Sequence, residues 1–223
     1  MKRVRCAPLV LSICLCCIGC NVAKNYQLSD SPLDEAFWSF YSSDPGSQMQ
    51  DVWTEQDGIL VCSGSPLGYL YSKADFDDFV LKLQWRWPAD KAPGKGGVLI
   101  HMTGEHKVWP KSLEAQINAG DAGDFWGLDG YQLSGPIGRT RAVDHEKFGQ
   151  LTNVKKTQAL EKRPGEWNTY EIRAEGDTVT LTINGIVVNQ AAGCAPTKGK
   201  ICLTAEGSEI HFRNIEIGPL TGR

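Results

Sequence analysis

Hydrophobic residues along most of this chain recur at every second position, in short runs punctuated by glycine, asparagine and aspartate. The clearest run spans 79–87. Phe79, Leu81, Leu83, Trp85 and Trp87 share one face there, and Val80, Lys82, Gln84 and Arg86 the other. Leu113, Ala115 and Ile117 alternate with Glu114 and Gln116 in the same way. Further strands are predicted over 52–54, 58–63, 97–102, 167–174, 179–183, 186–189, 199–205 and 209–217, with turns at Asp57-Gly58, Gly176-Asp177 and Asn184-Gly185. Trp167 opens one of these strands and is expected in the core. Residues 33–41 read as a helical turn or an edge strand. Between 118 and 163 the alternation is lost, and glycine, aspartate and charge surround Phe125, Trp126 and Tyr131. Patternless chain of that length reads as a functional loop. Short antiparallel strands at this spacing predict an all-β, two-sheet sandwich.

The first residues follow a different pattern. Lys2, Arg3 and Arg5 precede an apolar stretch of 12 residues, 7–18, which is too short to span a membrane and has the form of a secretory signal. It closes on Cys17-Ile18-Gly19-Cys20, which resembles a bacterial lipoprotein box with Cys20 as the lipidated residue. Cys17 stands where that box usually has leucine, and an ordinary secretory cut is the alternative. The expected organisation is a signal peptide over 1–19, a linker over 20–32 and a single domain over 33–223. The expected location is the cell envelope, anchored by lipid to a bacterial membrane or otherwise periplasmic.

Composition changes the picture at two points. The formal net charge is −3, and loss of the three signal cations takes it to −6, so no basic footprint predicts a nucleic-acid partner. Of eight cysteines only Cys62, Cys194 and Cys202 lie beyond Cys20, with no CxxC spacing for a zinc knot. Three thiols in an oxidising compartment allow one bridge and one leftover. By parity Lys82, Gln84, Arg86, His101, Glu114 and Gln116 all lie on faces turned from the core. On neighbouring strands they would make a polar trough for a saccharide; otherwise they are ordinary solvated strand residues.

Several words of the sequence are specific. Asp57-Gly58-Ile59-Leu60-Val61-Cys62, the turn Gly68-Tyr69-Leu70, Trp85-Arg86-Trp87-Pro88, Gly97-Val98-Leu99-Ile100-His101 and Ser112-Leu113-Glu114-Ala115-Gln116 come first. Gly123-Asp124-Phe125-Trp126, Pro164-Gly165-Glu166-Trp167-Asn168 and Glu206-Gly207-Ser208-Glu209-Ile210-His211-Phe212-Arg213-Asn214 follow. In this order they resemble the 3-keto-disaccharide hydrolase domain family, from about residue 53 to 220. The resemblance implies a concanavalin A-like, laminarinase-like jelly roll and a glycoside-cleaving activity on 3-keto-glycosides; a non-catalytic carbohydrate-binding module is the alternative. Cys62 and Cys194 lie where the family places cysteines, which implies a bridge between them with Cys202 free. Two departures stand out: Lys95-Gly96-Gly97 replaces the family's Asn-Ser-Gly, and in the run 199–205 Cys202 replaces a glycine and Thr204 a glutamine.

Ordinary glycoside cleavage needs two carboxyl groups. The strand over 113–117 offers one, Glu114. A ketone at C3 of the sugar acidifies the C2 hydrogen, so a single base can start an elimination across C1 and C2. Glu114 is therefore the candidate base or acid. His101 is a candidate proton relay, enolate stabiliser or metal ligand, or else a hydrogen-bonded structural histidine. Lys82 and Gln116 are candidate donors to sugar hydroxyls, and Trp109 and Trp126 stacking residues or edge-closing ones. Asp121 and Asp124 flank a glycine turn and are candidates for sugar, for a divalent cation such as calcium, or for turn capping. Arg213 is expected to pair with an acidic side chain.

Overall fold

The computed structural model describes residues 26–27, 31–146 and 148–220. The signal segment, Cys20 and most of the linker lie outside the described residues. The strands are β1 (Tyr26–Gln27), β2 (Trp38–Ser42), β3 (Trp53–Gln56), β4 (Ile59–Cys62), β5 (Gly68–Ser72), β6 (Phe79–Arg86), β7 (Gly97–Thr103), β8 (Lys111–Gln116) and β9 (Phe125–Leu128). They continue as β10 (Gln132–Ser134), β11 (Thr140–His145), β12 (Gly149–Val154), β13 (Asn168–Glu175), β14 (Thr178–Ile183), β15 (Ile186–Ala195), β16 (Lys200–Ala205) and β17 (Ile210–Gly218). One helical turn, Met49–Val52, precedes β3.

Two antiparallel sheets face one another. Sheet I runs β10-β15-β14-β13-β6-β17-β4-β3, with β1 on β17; sheet II runs β11-β12-β9-β8-β7-β16-β5-β2. The inward faces are the apolar sets expected from alternation. Leu81, Leu83 and Trp85 of β6, Ile172 of β13 and Phe212 of β17 meet Val98, Ile100, Leu113, Ala115 and Phe125 of sheet II in one core. The fold is an all-β sandwich of jelly-roll, concanavalin-like form.

Sheet II carries a second apolar layer on its outer face, with Tyr69, Leu99, Met102, Leu128, Leu151 and Cys202 packed under Trp109, Trp126 and Phe148. This layer explains two strands that alternation does not reveal. Gly68–Ser72 is strand β5 rather than a turn, because Tyr69 and Leu70 are buried on opposite faces. The 118–163 segment is largely ordered as β9 to β12. Its β11–β12 hairpin lies at the sheet edge with most β11 residues exposed, so period-2 contrast is lost.

Trp167 is a second correction. It lies half-buried outside sheet I, with the Arg86 and Arg213 guanidinium carbons 4.5 and 4.1 Å from its ring centroid. Arg213 donates through Nε to Gln84 Oε1 (2.7 Å) rather than pairing with an acid. The cysteine bridge is a third. Cys62, Cys194 and Cys202 are buried free thiols. Cys62 on β4 and Cys194 on β15 are separated by β17, β6, β13 and β14. Strands about 4.8 Å apart put that distance near 24 Å, and a disulfide tolerates about 7 Å between Cα atoms. Burial pushes both thiols up to about 12, so neither is a ready nucleophile.

Candidate functional site

β8 lies inside sheet II, between β9 and β7. Leu113 and Ala115 enter the core, so Ser112, Glu114 and Gln116 emerge on the outer face. Register places Glu114 between Leu99 of β7 and Trp126 of β9, and Gln116 opposite Gly97. Glu114 is only 5% exposed. Its carboxyl occupies the space a side chain at residue 97 would fill: a Cβ there would lie 2.5 Å from Oε1 and 2.9 Å from Cγ. The Gly97 N–H donates to Thr204 Oγ1 on β16 (2.7 Å), which ties that strand to the same floor.

Glu206, one step past the end of β16, supplies a second carboxyl. Burial pushes Glu114 well above the usual carboxylate range, and the charges of Glu206 and Asp124 push it further. Burial also raises Glu206, but a hydrogen bond from Thr204 and the Lys95 ammonium work against that rise. Glu114 is therefore the carboxyl held more strongly to its proton, and Glu206 the readier of the two to ionise. Acid–base chemistry on a sugar needs two groups that differ in this way in proton affinity. The sequence reading did not find Glu206. Its only signal was a carboxylate immediately after a strand, in a Glu-Gly turn.

The remaining candidates divide by position. Gln116 and Trp126 flank Glu114, and Trp109 belongs to the same outer layer, its ring centroid 3.9 Å from that of Phe148 at a tilt of 37°. Arg141 lies over Trp126 (5.6 Å to the ring centroid) and donates to Asn153 Oδ1 (3.1 Å). On the opposite flank Tyr41 and Tyr71 pack against the exposed His106 ring, whose Nδ1 is 2.9 Å from the Tyr69 hydroxyl.

Lys82 is on β6 of the other sheet, 3.5 Å from Glu171, and does not reach Glu114. His101 is not on the outer face either. The β7–β8 pairing steps from Ile100↔Leu113 to Thr103↔Lys111, so β7 carries one extra residue. His101 takes the left-handed conformation at that bulge (φ 53°) and turns inward onto Phe79, its Nδ1 2.9 Å from the Tyr131 hydroxyl. Tyr131 donates to the Pro196 carbonyl (2.9 Å), so the Nδ1 proton belongs to His101. Burial lowers its pKa, with the Asp77 carbonyl opposing, and favours neutral imidazole.

Asp121 and Asp124 have cations already. Lys155 Nζ lies 3.1 Å from Asp121 Oδ1 and 2.9 Å from the buried Asp124 Oδ2, and Lys156 Nζ is 3.6 Å from Asp121. Two ammonium groups at this cluster do not fit a calcium ion, which they would repel. Among the described residues no group of three or more His, Cys, Asp or Glu side chains is arranged to hold a metal.

Solved structures share this architecture. A candidate glycosyl hydrolase from Parabacteroides distasonis ATCC 8503 is 24% identical, with 78% of this chain and 93% of that one covered at a TM-score of 0.55. The carbohydrate binding module CBM66 from Bacillus subtilis is 12% identical, with coverage of 81% and 94% and a TM-score of 0.59. The Bacillus licheniformis β-glucanase is 11% identical, with coverage of 89% and 98% and a TM-score of 0.56. At these identities the likeness is one of fold. No curated protein matches the chain. Residues 33–218, which include every strand but β1 and carry both Glu114 and Glu206, match the 3-keto-alpha-glucoside-1,2-lyase-like domain, and the chain belongs to that family.

Proposed function

We propose that this protein cleaves 3-keto-glycosides by elimination across C1 and C2, with Glu206 as base and Glu114 as acid. The observation that carries this reading is the buried Glu114 carboxyl on the outer face of sheet II, seated against Gly97 and pushed toward its protonated form by burial and by the charge of Glu206. The family's description as 3-keto-alpha-glucoside-1,2-lyase-like supports the same chemistry. In the proposed step the Glu206 carboxylate takes the C2 proton, made acidic by the neighbouring ketone. The C1–O bond then breaks, its electron pair leaves with the aglycone oxygen, and the Glu114 proton neutralises that oxygen. The products are an unsaturated keto-sugar and a free alcohol, and the two glutamates exchange protonation states. Gln116 and Arg141 provide hydrogen-bonding groups for sugar hydroxyls, and Trp126 and the Tyr41–Tyr71–His106 cluster provide ring faces.

Export and lipidation at Cys20 form part of the proposal. They rest on the basic residues 2–5, the apolar stretch and the Gly19-Cys20 boundary. A carbohydrate-binding module, the second reading, would use the same ring faces but has no need of a buried acid pushed toward its protonated form.

The test is incubation of purified protein with a 3-keto-glucoside and its unoxidised parent, with and without chelator. Release of aglycone from the keto form alone, lost about 10²-fold or more in Glu114→Gln and in Glu206→Gln with no fall in melting temperature, is the expected result. Equal turnover in both variants would remove the pair from the mechanism.

A further inference from the structure

The outer face of sheet I, on the far side of the molecule from Glu114, holds a second group of polar residues that the proposed chemistry does not use. Gln84 lies at its centre. With Lys82, Thr169, Thr182, Asn214 and Glu216 it lines a depression of about 250 Å³. This is below the size of a drug-like pocket and suits one small polar ligand. Gln84 also connects the depression to the Arg86–Trp167–Arg213 cluster, because its Oε1 accepts from both Arg213 Nε (2.7 Å) and Asn214 Nδ2 (3.3 Å).

Three of the words that mark this chain, Trp85-Arg86-Trp87-Pro88, Gly165-Glu166-Trp167-Asn168 and His211-Phe212-Arg213-Asn214, come together at this cluster. Both guanidinium groups are within 4.5 Å of one ring centroid, so two positive charges lie within about 9 Å of each other. Each is oriented by an acceptor on Nε: Arg213 by Gln84, and Arg86 by His211 Nδ1 (3.2 Å). His211 is held in turn by Glu209 (2.9 Å). Among the described residues neither arginine has a carboxylate within ion-pairing distance, whereas nearby Lys82, Arg173 and Lys91 are all paired. The terminal N–H groups of two fixed forks therefore have no anionic partner in the protein, and such forks match an oxyanion. The floor beside them offers the complement for hydroxyls, in the Thr169 and Thr182 side chains and the Glu171 and Glu216 carboxylates.

We propose that this face is a second binding site, specific for an acidic sugar unit, in which Arg86 and Arg213 take the carboxylate of a hexuronate and the Gln84 depression takes its hydroxyls. The site is independent of the cleavage chemistry on sheet II and would place the protein on acidic glycan.

The experiment is a titration of isotope-labelled protein, followed by NMR, with D-glucuronate, D-glucose and inorganic phosphate as separate probes. D-glucuronate is expected to shift resonances around Gln84, Arg213 and Trp167 and to bind at least tenfold more tightly than either other probe. Arg213→Gln should weaken that binding tenfold or more, and Glu114→Gln should leave it unchanged. Thr182→Glu, which adds a negative charge to the depression without touching the arginine stack, should weaken it similarly and covers the case in which Arg213→Gln fails to fold. Phosphate binding as tight as glucuronate, glucose binding as tight, loss of binding in Glu114→Gln, or no saturable shift at this face would each overturn the proposal.

Discussion

Replacing Gly97 with alanine puts a methyl group where Glu114 keeps its carboxyl. The added Cβ would lie 2.5 Å from Oε1, 2.9 Å from Cγ and 3.1 Å from Cδ, about 1 Å inside ordinary contact at the closest atom. Glu114 is buried between Leu99 and Trp126 and its Cγ as well as its tip is struck, so the whole side chain must move. Overpacking of this kind costs about 1–3 kcal/mol, which for a domain of this size lowers Tm by roughly 5 °C. Misplacing a catalytic group by about 1 Å costs on the order of 10²-fold in rate. The assay is kcat on a 3-keto-glucoside beside a thermal melt. Gly96→Ala serves as the control, because its Cβ would meet Ile210 Cδ1 at an ordinary 3.4 Å. In a Glu114→Gln background the same methyl should lower Tm as before, since the amide has the same shape, but should slow turnover no further. A Gly97→Ala protein with unchanged kcat, or a rate loss that adds fully to that of Glu114→Gln, would refute the placement of Glu114 in the chemistry.

Three other outcomes follow from the geometry. Because Glu114 binds its proton more tightly when folded than when unfolded, its contribution to stability is full below about pH 4.5 and is lost as pH rises toward the folded pKa. Glu114→Gln should accordingly melt higher than the parent at neutral pH, with the difference vanishing in acid; the opposite trend would show the carboxyl to be ionised in the fold. Cys62, Cys194 and Cys202 should react with maleimide only after denaturation, and a reductant should leave Tm unchanged; a bridged peptide in a non-reducing map would contradict the strand separation. Millimolar Ca²⁺ should not raise Tm, whereas Lys155→Met, which removes one half-exposed cation from the buried Asp124, should lower stability by about 1 kcal/mol, read by denaturant titration.

Alternation alone was enough to assign the sandwich class and most strands. A strand with one face in a core must repeat its apolar side chains every second residue, and Phe79–Arg86 and Lys111–Gln116 do so cleanly. It also placed Glu114 and Gln116 on an outer face, because their neighbours Leu113 and Ala115 could only point inward. Parity is a property of one strand, however, and says nothing about which sheet the strand joins. Lys82 and Glu114 have the same parity, yet they lie on opposite sides of the molecule because β6 and β8 belong to different sheets. The rule also assumes an unbroken strand, and one extra residue in β7 turned His101 from the outer face into the core. Where sheet II is covered on both sides, as at Tyr69 and Leu70, the alternating signal disappears and the strand read as a turn. The pairing of Glu114 with Glu206 was beyond the reach of sequence for the same reason. The two are 92 positions apart in the chain. Glu114 senses the charge of Glu206 because only β7 separates β8 from β16, and because burial of Glu114 strengthens the effect of that charge.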